Sequence, residues 1–385
     1  MKIVVLTTCH EPNDDRIYYK EILSLLSKYK KVLLVAPVST DESYNLVSGV
    51  ELHPISRRRG ILGRLITVVE AASKVIRIKP DVCHFHDLDF VIMVPVIRML
   101  HRTKIVYDAH EVYPESMLIS PNIPQFFRFL AAWIVDRIEK FCAHYCSLIV
   151  TADLPNSQSF LRTGVPVVTL FNYPPLSLFE PKLKRIEELG SSFLRRRILI
   201  YQGTMSRDRG LFHMLNGLCL LKEEVPEVLL LLVGLNDANL RLEADEQIQL
   251  LQIDNYVHII PWVPHTEIVN YIALAEIGLV PWLSSEKNCK NIPIKVFEYM
   301  ACGIPLLASD ISSIAYYINA SRAGIVYEPN DAKAFANAAK RMLDDPLMRQ
   351  SMSKAGRKSV ERLWNWGEME KILLNEYGNL EHSQI

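Results

Sequence analysis

Two doubly wound α/β domains are predicted by three features of this sequence: its length, its short continuous apolar runs, and the amphipathic stretches between them. At 385 residues the chain exceeds one ordinary core and is expected to divide in two. Six strand-sized runs fall in the first half: KIVVLTT (2–8), KVLLVAP (31–37), DVCHFH (81–86), KIVYDAH (104–110), SLIVTA (147–152) and VPVVTLF (165–171). Six more follow: RILIYQG (197–203), EVLLLLVG (227–234), YVHII (256–260), EIGLVPW (276–282), IPLLAS (304–309) and AGIVYEP (323–329). Continuous β-branched runs alternating with helical patterns make parallel sheets covered on both faces.

The join is expected in NYPPLSLFEPKLKRIEELGSS (172–192), whose three prolines and many charges suit neither a strand nor a core helix. Domains are then expected over 1–178 and 195–360, with 179–194 as linker. GEMEKILLNEYGNL has helical apolar spacing, so 361–385 is expected to pack back on the first domain.

Composition narrows the partners. Lys+Arg and Asp+Glu are both 43, which gives no electrostatic footprint for nucleic acid. The opening MKIVVLTTCH is too short an apolar run for a signal peptide, and no run is long enough to span a bilayer. The seven cysteines are scattered, as in a reducing compartment. A cytoplasmic location is expected.

Open parallel sheets bind ligands beyond the C-terminal ends of their strands. In YQGTMSRDRGLFHML, Gly203 permits close backbone approach, Asp208 can cap the next helix, and Arg207 and Arg209 flank it. In NIPIKVFEYMACGIPLLASD, Asn291 can cap a helix that has Pro293 in its first turn. Lys295 then faces the positive end of the helix dipole, an unfavourable place for a cation. Cationic clusters at two helix starts are explained by an anion between them, and phosphate suits both the free N–H groups and the side chains. The plain alternative is that the arginines are solvated and Lys295 pairs with Glu298, three residues on. A carboxylate at Glu298 can also accept hydrogen bonds from a pair of sugar hydroxyls.

PIKVFEYMACGIPLLAS resembles the donor-binding signature of the family 4 glycosyltransferases, and YQGTMSRDRG resembles that family's glycine loop. NYP at 172–174 is similar to the stretch closing the family's first domain. The resemblance implies the two-domain GT-B fold, its active-site cleft between two facing domains, and retaining transfer from a nucleotide diphosphate sugar. It gives Glu298 to the nucleotide ribose, and Lys295 and Arg209 to the diphosphate. Two positions depart from the family pattern. Lys290 stands where the first Glu of a Glu-x7-Glu motif would lie, and Thr204 follows Gly203 where many members have Arg. Arg207 is then a substitute cation, and Trp262 a wall or stacking residue for the base. His110, after KIVYDA, resembles the histidine that touches the donor sugar.

The first half holds further candidates. Asp14 or Asp15 can cap a helix whose Ile22, Leu23, Leu25 and Leu26 face inward, placing Arg16 near donor or acceptor. A bare capping arrangement explains the same residues. His84 and His86 share one strand face with Asp87 next to them, but this spacing alone seldom defines a metal site. Asp87 also opens the tripeptide DLD, an Asp-x-Asp pattern that is common by chance. No metal or cofactor is expected, and Asp14, Arg16, His86 and Asp87 are assigned to the acceptor side. Cys142 and Cys146 have core spacing. SRRRGILGRLITVVEAASKVIRIK is either a surface helix behind a solvated basic loop or a peripheral membrane contact receiving a lipid-linked acceptor. FFRFLAAWIV (126–135) also suits a core helix.

The expected function is transfer of a sugar from a UDP- or GDP-sugar to a hydroxyl of a saccharide or lipid-linked acceptor, as in building cell-envelope polysaccharide. A GT-B sugar-nucleotide epimerase or a non-catalytic sugar-nucleotide-binding subunit would use the same cradle. A dinucleotide oxidoreductase is disfavoured, because no G-x-G-x-x-G follows the first strand.

Overall fold

The computed structural model describes residues 1–38, 44–58, 60–120, 123–180, 188, 193 and 195–383. Most of the linker expected at 179–194 lies outside the described residues, as does Arg59 of the basic run. The chain forms two compact units: Met1–Asn172 with Trp366–Ile385, and Tyr173–Asn365. The chain leaves the first unit at Asn172 and returns at Trp366. It returns late because the helix Pro346–Arg362 belongs to the second unit, where Gly356 lies against Met300 and Arg357 donates to the Ala301 carbonyl.

The first unit is built on seven parallel strands: β1 (Ile3–Leu6), β2 (Val32–Val38), β3 (Val50–Ser56), β4 (Val82–Phe85), β5 (Lys104–Ala109), β6 (Leu148–Thr151) and β7 (Val167–Thr169). Their order is β3-β2-β1-β4-β5-β6-β7. The central strands β1, β4 and β6 are buried along their whole length, as continuous apolar runs require. Apolar-run reading misses β3, a half-exposed edge strand whose VELHPIS carries a proline that only an edge tolerates. Phe85 stacks on Tyr107 at 4.7 Å in the core, where Cys142 and Cys146 are also buried.

The helix Trp366–His382 completes this unit. Its Trp366 indole N–H donates to Ser24 Oγ at 2.8 Å, and its Tyr377 hydroxyl lies 2.9 Å from His84 Nδ1.

The second unit carries six parallel strands: β8 (Arg197–Gln202), β9 (Val228–Val233), β10 (Val257–Ile260), β11 (Ile277–Val280), β12 (Leu306–Ser309) and β13 (Gly324–Tyr327). Their order is β10-β9-β8-β11-β12-β13. Strand order reverses between β1 and β4 in one sheet and between β8 and β11 in the other. Ligand crevices of open α/β sheets lie at such switch points, so the loops after β1 and β4 frame a candidate crevice in the first unit, and those after β8 and β11 one in the second.

Candidate functional site

In the second unit the loop after β8 is pinned to the chain that follows β11. Gly210 has φ of +83°, and a Cβ there would lie 2.0 Å from the Pro281 carbonyl oxygen. The Asp208 carbonyl accepts from the Leu283 N–H at 2.9 Å and from the Asn288 amide at 3.1 Å. Asp208 does not cap the following helix: Gly210 occupies that position, and the Asp208 carboxylate accepts from Ser206 Oγ. Asn291 is likewise not a cap. The helix Lys295–Ala301 starts from Ile294 without a side-chain cap, because a preceding turn already satisfies the N–H groups of Val296, Phe297 and Glu298.

Lys295 is buried, and its ammonium lies 3.5 Å from the centroid of the Tyr201 ring. Its nitrogen has no hydrogen-bond partner. Burial, with the Arg209 guanidinium nearby, drives its pKa well below the ordinary lysine value, and Glu298 opposes the shift only in part. The simple Lys295–Glu298 hydrogen bond is therefore absent. Glu298 accepts instead from the Gln202 amide, at the C-terminal end of β8. Gly203 has φ of +90°, and a Cβ built on it would lie 3.8 Å from the Lys295 nitrogen. Its own N–H is committed to the Val233 carbonyl at 2.9 Å.

Arg209 lies over the Trp282 ring at 5.6 Å and donates to the Thr204 carbonyl at 3.0 Å. Both Arg209 and Lys295 thus belong to one cationic corner above β8. Arg207 is held elsewhere: its guanidinium pairs with Glu243 and covers the Phe212 ring at 4.9 Å. Trp262 is exposed, its backbone N–H donating to the Asn236 side-chain oxygen at 2.9 Å, and Lys290 ends the short helix Glu286–Lys290 on the surface.

In the first unit, the segment after β1 opens with Asp14, which accepts from the N–H groups of Arg16 and Ile17 at 2.9 and 3.0 Å. The turn that follows, Ile17–Ile22, is π-helical, with the Glu21 N–H bonded to the Arg16 carbonyl. This widened turn brings Lys20 and Glu21 inside, where a helix read from apolar spacing has no place for them. His10 bonds the second Asp14 oxygen at 3.0 Å. Burial raises the Asp14 pKa, but His10 and the Ile17 N–H outweigh it and hold it at about 2.

Arg16 is turned inward rather than toward a ligand. Its guanidinium meets both Asp108 oxygens, at 3.0 and 3.2 Å, and donates to the Leu170 carbonyl at 2.9 Å. Glu21 Oε1 lies 3.0 Å away. Burial favours a neutral Asp108, yet Arg16 keeps it ionised, while burial and the Asp108 charge push Glu21 well above the usual carboxylate range. His84 and His86 stack at 4.8 Å beside Glu21. Burial lowers His84 to about 4 and His86 well below its ordinary value.

His110 caps this polar core. Its Nε2 lies 2.9 Å from His86 Nδ1, and its ring is 5.9 Å from that of His10. The trio His84, His86 and Asp87 is not assembled, because Asp87 turns to Thr7 Oγ1 and the Thr8 N–H, both at 2.7 Å. Among the described residues, Glu21, His84, His86 and Asp108 have ligand atoms within 4.8 Å of one another and could hold a cation. Arg16 already neutralises Asp108 and faces one Glu21 oxygen there.

Several members of the site escape sequence reading. Tyr201 looks like core in an apolar run, although Gln202 and Gly203 at its end mark a strand leaving the sheet. Glu21 looks like an exposed helix residue. Asp108 sits inside KIVYDAH, and a carboxylate within a buried strand is itself a signal that a cation is near.

Residues 186–359 match the model of the glycosyl transferases group 1 family. A GDP-mannose-dependent monoacylated alpha-(1-6)-phosphatidylinositol monomannoside mannosyltransferase of Corynebacterium glutamicum is 26% identical over 152 residues, 39% of each protein. The chain thus spans about two fifths of that relative's length. Sucrose-phosphate synthase from Thermosynechococcus elongatus superposes over the whole of both chains with TM-score 0.78 at 18% identity. Anabaena HepE in complex with UDP superposes over 98% of this chain and 100% of its own, with TM-score 0.74 at 14% identity. Two parallel-sheet α/β units with these neighbours are the GT-B fold.

Proposed function

We propose that this chain, whose second unit is a glycosyl transferases group 1 domain, moves a sugar from a UDP- or GDP-sugar to a hydroxyl of a saccharide or lipid-linked acceptor, with retention of configuration. The observation that carries the reading is the buried Lys295 ammonium without a hydrogen-bond partner, beside Arg209 and open to Gly203. A lysine kept dry and unpaired is costly to charge, and a diphosphate supplies the missing acceptors. The UDP and UDP-glucose complexes of HepE and the GDP-mannose named for the Corynebacterium relative support this donor class.

As the glycosidic bond breaks, charge builds on the departing diphosphate. Lys295 and Arg209 stabilise it from fixed positions, which is where electrostatic catalysis gains most. Glu298, oriented by Gln202, takes the ribose hydroxyls. His110, steadied by His86, touches the donor sugar, and Asp14 presents a polar edge to the acceptor, while buried Asp87 holds the Thr7–Thr8 turn behind it. Retention through a covalent intermediate needs a carboxylate beneath the sugar. A front-face route is preferred, in which the leaving phosphate takes the acceptor proton. With two cations on the diphosphate no metal is required, and the enzyme acts at the cytoplasmic side of the envelope.

The test is a thermal-shift screen of UDP- and GDP-sugars, followed by nucleotide release with and without acceptor saccharides. A selective rise in melting temperature with one donor, and acceptor-dependent release, are expected. No shift with any sugar nucleotide overturns the donor site. Donor epimerised without acceptor, or bound and never consumed, overturns transfer.

A further inference from the structure

The first unit carries an apolar face that its fold does not use. The helix Gly60–Ile78 buries Thr67, Val68, Ala71, Ala72 and Val75 against the sheet. Its other side shows Ile61, Leu62, Leu65, Ile66 and Val69 to solvent, with Ile61 89% exposed. A helix with one buried side ordinarily places polar residues on the other.

The helix Arg128–Ala143 is more unusual, because it is inverted. Its acid Glu139 points inward, accepting from the Tyr107 hydroxyl at 2.6 Å. Phe129, Leu130, Trp133, Ile134, Ile138 and Phe141 point outward, Phe129 79% exposed. Residues 126–135 therefore form an outer wall and not the core helix that their composition suits. The helix Val94–Leu100 packs against both others and adds Val96, Met99 and Leu100, joining the three into one surface. Isolated apolar residues on a surface are ordinary, but a continuous wall of them marks a docking site.

Charge identifies the occupant. The whole chain has no net charge, yet Gly60–Ile78 holds Arg64, Lys74 and Arg77 against Glu70, with Arg64 paired to Asp89 at 2.8 Å, and Arg128–Ala143 holds Arg128, Arg137 and Lys140 against Asp136 and the inward Glu139. Residues 94–102 hold Arg98 and Arg102 with no acid. Arg137 lies over the Trp133 ring at 5.8 Å, an aromatic–cation pair of the kind that sits at a headgroup boundary. Apolar side chains edged by arginines fit the acyl boundary and the phosphates of an anionic monolayer together. No helix among the described residues is long and apolar enough to cross a membrane, so contact lies in the plane of the surface.

We infer that the wall formed by the helices Gly60–Ile78, Val94–Leu100 and Arg128–Ala143 seats the first unit on an anionic lipid monolayer. The lipid-linked choice of acceptor rests on the transferase reading above and gains a delivery route from this face. Vesicle binding itself needs no nucleotide, so it stands or falls separately.

The experiment is flotation of the full chain with vesicles of phosphatidylcholine alone, and of phosphatidylcholine with phosphatidylglycerol at two to one. The wild type is expected to float with the anionic vesicles and to be partly released by salt. Phe126→Ser/Phe129→Ser/Trp133→Ser and, separately, Ile61→Ser/Leu62→Ser should cut the bound fraction about ten-fold. Both should keep the circular dichroism and the donor-induced thermal shift of the wild type. Arg98→Gln/Arg102→Gln should weaken binding to anionic vesicles without changing the little seen with phosphatidylcholine. Wild-type protein that floats with neither vesicle, or apolar-face variants that bind like wild type, overturns the inference. So does a stable dimer by sedimentation equilibrium that these variants dissociate, since a second copy then covers the wall.

Discussion

The Lys295 ammonium sits 3.5 Å from the centroid of the Tyr201 ring with no hydrogen-bond partner, while Glu298 on the same helix is engaged by Gln202. The chain leaves a buried lysine nitrogen without a hydrogen-bond partner although an acid follows three residues on. Such an arrangement costs stability in the empty protein and is retained for what binds there.

Lys295→Met should therefore stabilise the unliganded protein while abolishing the donor response. The folded pKa lies below the unfolded 10.5, so the folded chain binds fewer protons and its stability rises with pH across that interval. Removing the group eliminates the penalty, worth about 1–4 kcal/mol at neutral pH. Urea midpoints of the two proteins measure it. A destabilised variant, or one that keeps the wild-type thermal shift with donor, contradicts the assignment.

Donor binding should take up a proton. Anion contact restores the charged form that burial suppresses, so affinity falls as pH rises through the lysine's range in the complex. Titration calorimetry in buffers of different ionisation enthalpy reads the uptake directly. Equal apparent enthalpies in all buffers would refute it, and Lys295→Met is expected to show none.

Arg16→Met should cost about 3–5 kcal/mol, because it leaves the Asp108 carboxylate buried without its guanidinium. Adding Asp108→Asn should recover part of that loss. A double variant as unstable as the sum of the two singles would show that the pair is not coupled. Equilibrium unfolding followed by tryptophan fluorescence and by circular dichroism provides the cycle.

His84 makes the first unit acid-sensitive. Its folded pKa of about 4 lies under the ordinary 6.5, so stability is intact above 6.5 and is lost as pH falls toward 4. The full effect is about 3 kcal/mol. Glu21 acts with the opposite sign, since its raised folded pKa adds stability at low pH that disappears as pH rises. The comparison is the pH slope of the urea midpoint in wild type and His84→Asn. Identical slopes between pH 6.5 and 4 would remove His84 from the account.

Local reading of the sequence singles out Lys295 and Glu298 as candidates because a cation in the first turn of a helix is a visible anomaly. It singles out His110 as a candidate because a residue just past a strand end has few structural uses and because this one resembles a family histidine. It misjudged Arg16, whose partner Asp108 lies 92 positions away, a pairing set by the strand order and absent from local spacing. Arg207 and Arg209 look alike in SRDRG, yet the positive φ of Gly210 and the tether to Pro281 go with Arg209 over Trp282 and Arg207 on Glu243. Apolar periodicity also cannot say which way a helix faces. Residues 126–135 have a core composition and stand outside, and only the inward pull of Tyr107 on Glu139 tells the two apart. The edge strand β3 was invisible for a similar reason, since its pattern follows exposure more than hydropathy.

The bonds from Trp366 to Ser24 and from Tyr377 to His84 tie a late stretch of polypeptide into the early one. Ribosomal synthesis therefore delivers Tyr173–Asn365 in full before the earlier module can close over its histidines. A single cut can release no complete copy of that module, whereas the intervening piece is continuous. Interrupting translation anywhere between residues 172 and 377 would leave the His84 ring without its hydroxyl partner, so completion of the first unit waits for the helix Trp366–His382.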